Sequence, residues 1–145
     1  MPSRHDISPA DIKYQLTHVL LVDVLEQGRD FRYRLVGSGL HRNFPAVPTG
    51  MRMSEALAPF GEATVSGTIA AYRQVVRSGT PSRLRGAGVI YGQEPKYFDA
   101  ILMPLAEDGE TVNMVFGAFL FDWDNDNTYR ENGETWSLAL RAAAV

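Results

Sequence analysis

The chain has 145 residues, 45% of them hydrophobic and 21% charged, with a formal net charge of −3 and no cysteine. That length suits one hydrophobic core and is too short for two; the composition is that of a folded chain, and disulfide or thiol chemistry is excluded. No apolar run reaches the roughly 20 residues of a membrane-spanning helix, and the polar start Met-Pro-Ser-Arg-His-Asp lacks the apolar stretch of a secretory signal, so a cytoplasmic protein without a membrane partner is expected.

In chain order, Ser8-Pro9-Ala10-Asp11 has the form of a helix start: a capping hydroxyl, a proline at the first helical position and an acid near the positive helix end. It predicts a short N-terminal helix to about Leu16. Val19 to Leu25 is a branched apolar run, as a strand should be, and Gln27-Gly28-Arg29-Asp30 supplies a turn. Phe31, Tyr33 and Leu35 alternate with Arg32 and Arg34, the period of a strand with one wet face, so the two runs predict a β-hairpin. Gly37-Ser38-Gly39 ends it. From there to Pro59, with Pro45, Pro48 and Gly50 inside, only short helical turns fit between the breakers.

Glu62 to Ser78 contains no proline and repeats Val65, Ile69, Tyr72 and Val76 at helical spacing, which predicts the main helix, stopped by Gly79 with Pro81 beyond. Three strands follow, at about Ser82 to Val89, Lys96 to Leu105 and Thr111 to Trp123, the last two joined across Glu107-Asp108-Gly109-Glu110. The final strand is apolar at both parities, Met114, Phe116, Ala118 and Leu120 on one side and Val115, Gly117, Phe119 and Phe121 on the other, so it should be central and covered on both faces. Residues 124–145 read as a polar tail that permits a short last helix around Trp136 to Val145.

Several segments, taken in order, carry a family resemblance. They are Asp6-Ile7, His18-Val19-Leu20-Leu21-Val22-Asp23-Val24-Leu25, Gly28-Arg29-Asp30-Phe31-Arg32-Tyr33-Arg34-Leu35-Val36-Gly37-Ser38, Thr49-Gly50, Ala71-Tyr72-Arg73-Gln74-Val75-Val76, Ser78-Gly79-Thr80-Pro81, Met103-Pro104-Leu105, Gly117-Ala118 and Phe121-Asp122. Together they resemble a bacterial family of stand-alone PAS-like domains. The resemblance implies an α+β fold, PAS-like, over residues 7–123: a five-stranded antiparallel sheet with helices packed on one face and an N-terminal helix. It also implies a sensory or signalling module that holds a small molecule between sheet and helices, or pairs with itself or a partner through the sheet and the N-terminal helix.

Each chemistry open to such a module needs particular side chains. A chromophore bonded through a thiol is excluded by the lack of cysteine. Haem held from the long helix is disfavoured, because no histidine lies between Glu62 and Ser78. His5, His18 and His41 are widely separated and lack metal-site spacing, so no metal is expected. Gly37-Ser38-Gly39-Leu40-His41 offers a serine and a histidine but not the five-residue form of a nucleophile elbow, and reads as a turn. Gly86-Ala87-Gly88 lacks the remaining glycines and the lysine of a phosphate loop.

Charge is unevenly spread: residues 29–85 hold nine arginines against three acids, whereas the residues after Arg85 hold three basic residues against ten acids. The net acidity and the absence of a recognition-helix pattern argue against nucleic acid as a partner.

Broken helices over a sheet leave room for a mostly apolar cavity. Its candidate wall is Phe31, Tyr33, Leu35, Phe44, Ile69 and Tyr72, residues that any fold would also bury, with Arg85 or Arg34 available to neutralise an anion. Tyr72 leads, since a buried phenol needs a partner. The expected function is a non-catalytic sensory domain binding an unknown small molecule, forming a homodimer and acting on a downstream signalling protein. The alternatives are an interaction adaptor with a fully packed core, or a small enzyme on an α+β scaffold.

Overall fold

The structure is a computed structural model that describes residues 1–86 and 97–122. It contains β1 (Val19–Leu25), β2 (Asp30–Val36), α1 (Met53–Ala56), α2 (Glu62–Ser78), β3 (Ser82–Gly86), β4 (Tyr97–Leu105) and β5 (Met114–Asp122), with short 3-10 turns between them. The strands form one antiparallel sheet in the order β2-β1-β5-β4-β3. The doubly apolar final strand is therefore central, between β1 and β4. Its even and odd residues serve two cores: Val115 faces α2 with Leu20, Val22 and Leu102, while Met114, Phe116 and Ala118 pack on the other face with Val19, Leu21, Ile101 and Met103.

The β1–β2 hairpin turns through three residues with positive φ, Glu26 (49°), Gln27 (61°) and Gly28 (92°). Such backbone is costly for most L-residues. It is held from above by α2, where Arg73 Nε donates to the Gly28 carbonyl at 2.7 Å. The helix begins after Gly61 and stops at Gly79, whose φ of 63° and bond to the Val75 carbonyl (2.9 Å) form a left-handed C-terminal cap. Its most buried face runs through Ile69, Tyr72 and Val75, with Val65 and Val76 at its flanks. The helix is thus rotated slightly from the stripe that Val65 and Val76 would centre.

Two expectations are corrected. The first concerns the N-terminal helix. Residues 8–18 form successive i to i+3 turns instead, with Asp11 bonding to the Ser8 carbonyl (3.0 Å), Gln15 to Ile12 (2.9 Å) and His18 to Gln15 (2.8 Å). A segment this short cannot offset the cost of helix nucleation by itself, and it has few apolar points to bury. Ile7 and Ile12 lie against the sheet face away from α2, so the segment drapes where a rod was expected. Gly37 shows how closely: a Cβ there would come within 2.5 Å of the Thr17 backbone.

The second correction concerns Leu35. Leu21 pairs with Leu35 but Val22 pairs with Tyr33, so Arg34 is an extra residue, a β-bulge. One inserted residue inverts the alternation beyond it. Phe31, Tyr33 and Val36 consequently join the core beneath α2, while Leu35 turns to the opposite face and is 45% exposed.

β5 also starts later than expected. The Asp108 carboxylate accepts the N–H groups of Glu110 (2.9 Å) and Thr111 (2.7 Å), and Asn113 Oδ1 accepts that of Glu107 (3.2 Å), so side chains bind the backbone that would have extended the strand. Residues 87–89, the join before Tyr97, and the tail from residue 123 with its expected last helix lie outside the described residues.

Candidate functional site

Between the inner sheet face and the first half of α2 lies a cavity of about 450 Å³. Its floor is Leu20, Tyr33, Leu84 and Phe119 from the sheet, and its side wall is Leu40, Phe44 and Leu57 from the irregular connector. Its roof is Ala63, Thr64, Gly67, Thr68, Ala71 and Tyr72 from α2. The roof explains the space. Ala63, Gly67 and Ala71 recur every fourth residue and so share one helix face, and a stripe of such small residues cannot fill the gap to the sheet. The second half of the helix carries Ile69, Tyr72 and Val75, all buried, and there the interior closes. Ala63, Thr64 and Gly67 are exposed, so the cavity reaches the surface along the N-terminal half of α2.

The connector holds the wall in place through β2. Tyr33 exchanges both backbone bonds with it: its N–H donates to the Met51 carbonyl (3.0 Å) and its carbonyl accepts from Gly50 (2.7 Å). Asp30, buried at the start of β2, accepts from the N–H of Phe31 (2.8 Å) and from the N–H (3.3 Å) and hydroxyl (2.5 Å) of Ser54, which anchors α1 to the strand. The rings then lock: Phe44 meets Tyr33 edge-on with centroids 5.5 Å apart, and Phe31 meets Tyr72 at 5.4 Å.

Of the residues singled out from the sequence, Tyr33, Phe44, Tyr72 and Arg85 border the cavity. Phe31 is buried behind Tyr72, Ile69 lies in the core off the cavity wall, and Leu35 is on the far face because of the bulge. Arg85 reaches only the rim. Its side chain is 60% exposed with Nε 3.5 Å from the buried Asp99 carboxylate, which Arg83 also holds at 3.0 and 2.6 Å. Leu84 packs under α2, so its neighbours Arg83 and Arg85 project to the other face. Arg34 is paired with Asp23 at 2.9 Å. Neither arginine is placed to neutralise a charge inside. The small stripe Ala63-Gly67-Ala71, the threonines beside it, and Leu20, Leu40, Leu57, Leu84 and Phe119 were not foreseen; the fourfold spacing of small residues was the available signal.

The polar groups deep in the cavity are two phenols. Tyr33 and Tyr72 are 2% and 3% exposed. No hydrogen bond joins either hydroxyl to another described residue. Burial pushes the Tyr72 phenol well above its ordinary value near 10, and a charge on Tyr33 would raise it further. Burial likewise raises Tyr33, with the Asp30 carboxylate adding to the shift. Both therefore remain protonated donors. Thr64 and Thr68 add hydroxyls at the roof. Among the described residues no group of three or more histidines, aspartates or glutamates is gathered as metal ligands, and no helix is long and apolar enough to cross a membrane.

Comparison with known proteins agrees with this architecture. The structure is similar to the PAS domain of BvgS from Bordetella pertussis, at 12% identity and a TM-score of 0.62 over 87% of this chain and 91% of that one. It is also similar to the LOV protein of Rhodobacter sphaeroides, at 15% identity and a TM-score of 0.57 over 93% and 92%. The LOV domain of the blue-light photoreceptor Aureochrome1 matches at 10% identity and a TM-score of 0.53 over 90% and 98%. Such identities show a shared fold alone. No curated protein matches the sequence at a significant level. The family described as PAS domain matches residues 1–120, a span that holds the connector, the long helix and all of the sheet but the last two residues of β5, and the chain belongs to the PAS domain family, a family of generally sensory and signalling modules.

Proposed function

We propose that this domain is a non-catalytic sensor that binds a small molecule between α2 and the sheet and passes its occupancy to a downstream protein, as a homodimer. The observation that carries the reading is a 450 Å³ cavity bordered by two largely buried tyrosines whose hydroxyls bond to no other described residue. A phenol can both donate and accept a hydrogen bond, and a mostly apolar concavity with a few polar groups is the usual form of a small-molecule site. The same cavity weighs against a fully packed adaptor.

The wall groups support binding over catalysis. General acid–base chemistry wants a group whose pKa lies near the working pH, whereas the two phenols are driven the other way and Arg85 is drawn to Asp99. A ligand transmits a signal only by preferring one of two states. The movable part here is α2, whose sole polar latch to the β1–β2 turn among the described residues is Arg73, bonded to the carbonyls of Gly28 (2.7 Å) and Arg29 (3.4 Å). A molecule wedged under the first half of the helix bears on that latch.

The test is native mass spectrometry of gently purified protein, with a Gly67→Leu variant in which the roof is filled. The expected result is a bound small molecule in the wild type, lost in the variant, with the dimer seen in the same spectrum. Identical ligand-free spectra, with no probe in a metabolite library shifting the melting temperature of the wild type, would overturn the sensor.

A further inference from the structure

Resting on that reading, we infer that the ligand is an uncharged, largely apolar molecule carrying a hydrogen-bond acceptor that takes the hydroxyl protons of Tyr33 and Tyr72. Three observations combine. First, the cavity holds about 15 atoms at the roughly 30 Å³ that a water occupies in the liquid, which bounds the ligand to about the size of a two-ring compound. Second, the wall is aliphatic and aromatic except for the hydroxyls, so most of the ligand surface must be apolar to replace water favourably. Third, the one cation among the described lining residues, Arg85, touches the cavity only at its rim, where its side chain is 60% exposed and lies beside the Asp99 carboxylate that Arg83 also holds. An anion entering between α2 and β5 would lose its hydration and, among the described residues, meet only a rim guanidinium already shared with Asp99, a costly kind of burial. A cation would face no carboxylate among the lining residues.

The acceptor follows from the geometry of the phenols. Both side chains are nearly inaccessible from outside, both border the cavity, and neither hydroxyl bonds to another described residue. A phenol can donate one hydrogen bond and accept others, so a carbonyl or ether oxygen on a ligand in the cavity would give these donors the acceptor that the described residues do not. An apolar ligand of the same shape would leave them unmade.

The experiment compares three probes of matched size by isothermal titration: benzophenone (uncharged, with a carbonyl acceptor), diphenylmethane (uncharged, without one) and biphenyl-4-carboxylate (anionic). Two neutral hydrogen bonds, each of modest net strength, correspond to about a tenfold difference in affinity. Benzophenone is expected to bind about tenfold more tightly than diphenylmethane, and the carboxylate more weakly than both. Tyr33→Phe and Tyr72→Phe, which keep the ring and remove only the hydroxyl, should each narrow the gap in affinity between benzophenone and diphenylmethane.

Equal binding of the two uncharged probes would refute the role of the phenols, and binding of the carboxylate as tight as that of benzophenone would refute the charge rule. Either result leaves the sensor reading standing. Binding of none of the three overturns the ligand class; whether the sensor falls with it is decided by the Gly67→Leu comparison of native mass spectra.

Discussion

Replacing Gly67 with leucine separates the cavity from the stability of the fold, because at this position the two move in opposite directions. Gly67 lies mid-helix in α2, borders the cavity, and a Cβ built on it meets no heavy atom within 4 Å. A glycine in a helix interior costs about 0.7 kcal/mol relative to a good helix former such as leucine. A leucine at the exposed mouth would also remove one or two carbons from water, worth about 1 kcal/mol. The variant should therefore be more stable by about 1.5–2 kcal/mol, a rise in melting temperature of about 5–8 °C for a chain of this size.

The assay is thermal and urea unfolding of wild type and variant, both first denatured, dialysed and refolded, since a retained ligand would stabilise the wild type by mass action. Ligand capture by the variant should meanwhile fall below detection. A lower melting temperature would mean that the space beside Gly67 is already filled. The cavity, and the reasoning built on it, would then be wrong.

Stability should also depend on alkaline pH. Tyr33 and Tyr72 have folded-state pKa values raised above the ordinary value near 10, so their contribution is complete below pH 10 and is lost as pH rises above it, at about 1.4 kcal/mol per pH unit for each phenol; urea midpoints from pH 9 to 11 for the wild type and Tyr33→Phe should show the steeper decline in the wild type. Asp30→Ala removes the acceptor that joins β2 to α1 through Ser54 and should cost about 1–3 kcal/mol, measured by chemical denaturation, with α1 amides losing exchange protection. Leu35→Lys should change stability by no more than about 0.5 kcal/mol, because the bulge at Arg34 turns Leu35 outward; a loss near that of a core substitution would mean that the strand alternates without interruption.

The elements that proved most legible were those whose signals are local. Glu62 to Ser78 is bounded by glycines and free of proline, and α2 occupies that span. The doubly apolar run of β5 pointed to a central strand, and the sheet order puts it there. Segments whose form depends on a distant partner read less well. The Ser-Pro-Ala-Asp signature looks like a helix start, yet the residues after it follow the face of the sheet because Ile7 and Ile12 have more to gain there. Residues 107–113 carry turn signals, but how far the turn shortens β5 depends on Asp108 and Asn113 side chains binding backbone.

The candidate site divides in the same way. Tyr33, Phe44 and Tyr72 could be nominated because large aromatic side chains at core spacing must go inside, and burial is the larger cause of the raised phenols of Tyr33 and Tyr72. Leu35 followed from the same alternation and failed, since one unpaired residue in the register of β2 against β1 inverts everything after it, and register is a property of two strands. Arg85 could be nominated by its charge, but only the pairing of Arg85 with Asp99 across β3 and β4 shows which side of the sheet holds the guanidinium.

By itself, the order of apolar periods, breakers and caps predicted the long helix, the strands and their succession, because each of those signals acts within a few residues of chain; the family came from the resemblance of whole segments. What the tertiary structure alone decided is where matter is missing. A stripe of alanine and glycine is unremarkable until a sheet lies opposite it at a distance set by Ile69, Tyr72 and Val75 further along the same helix; the cavity is then the volume that the small residues leave, with Tyr33 and Tyr72 on its border.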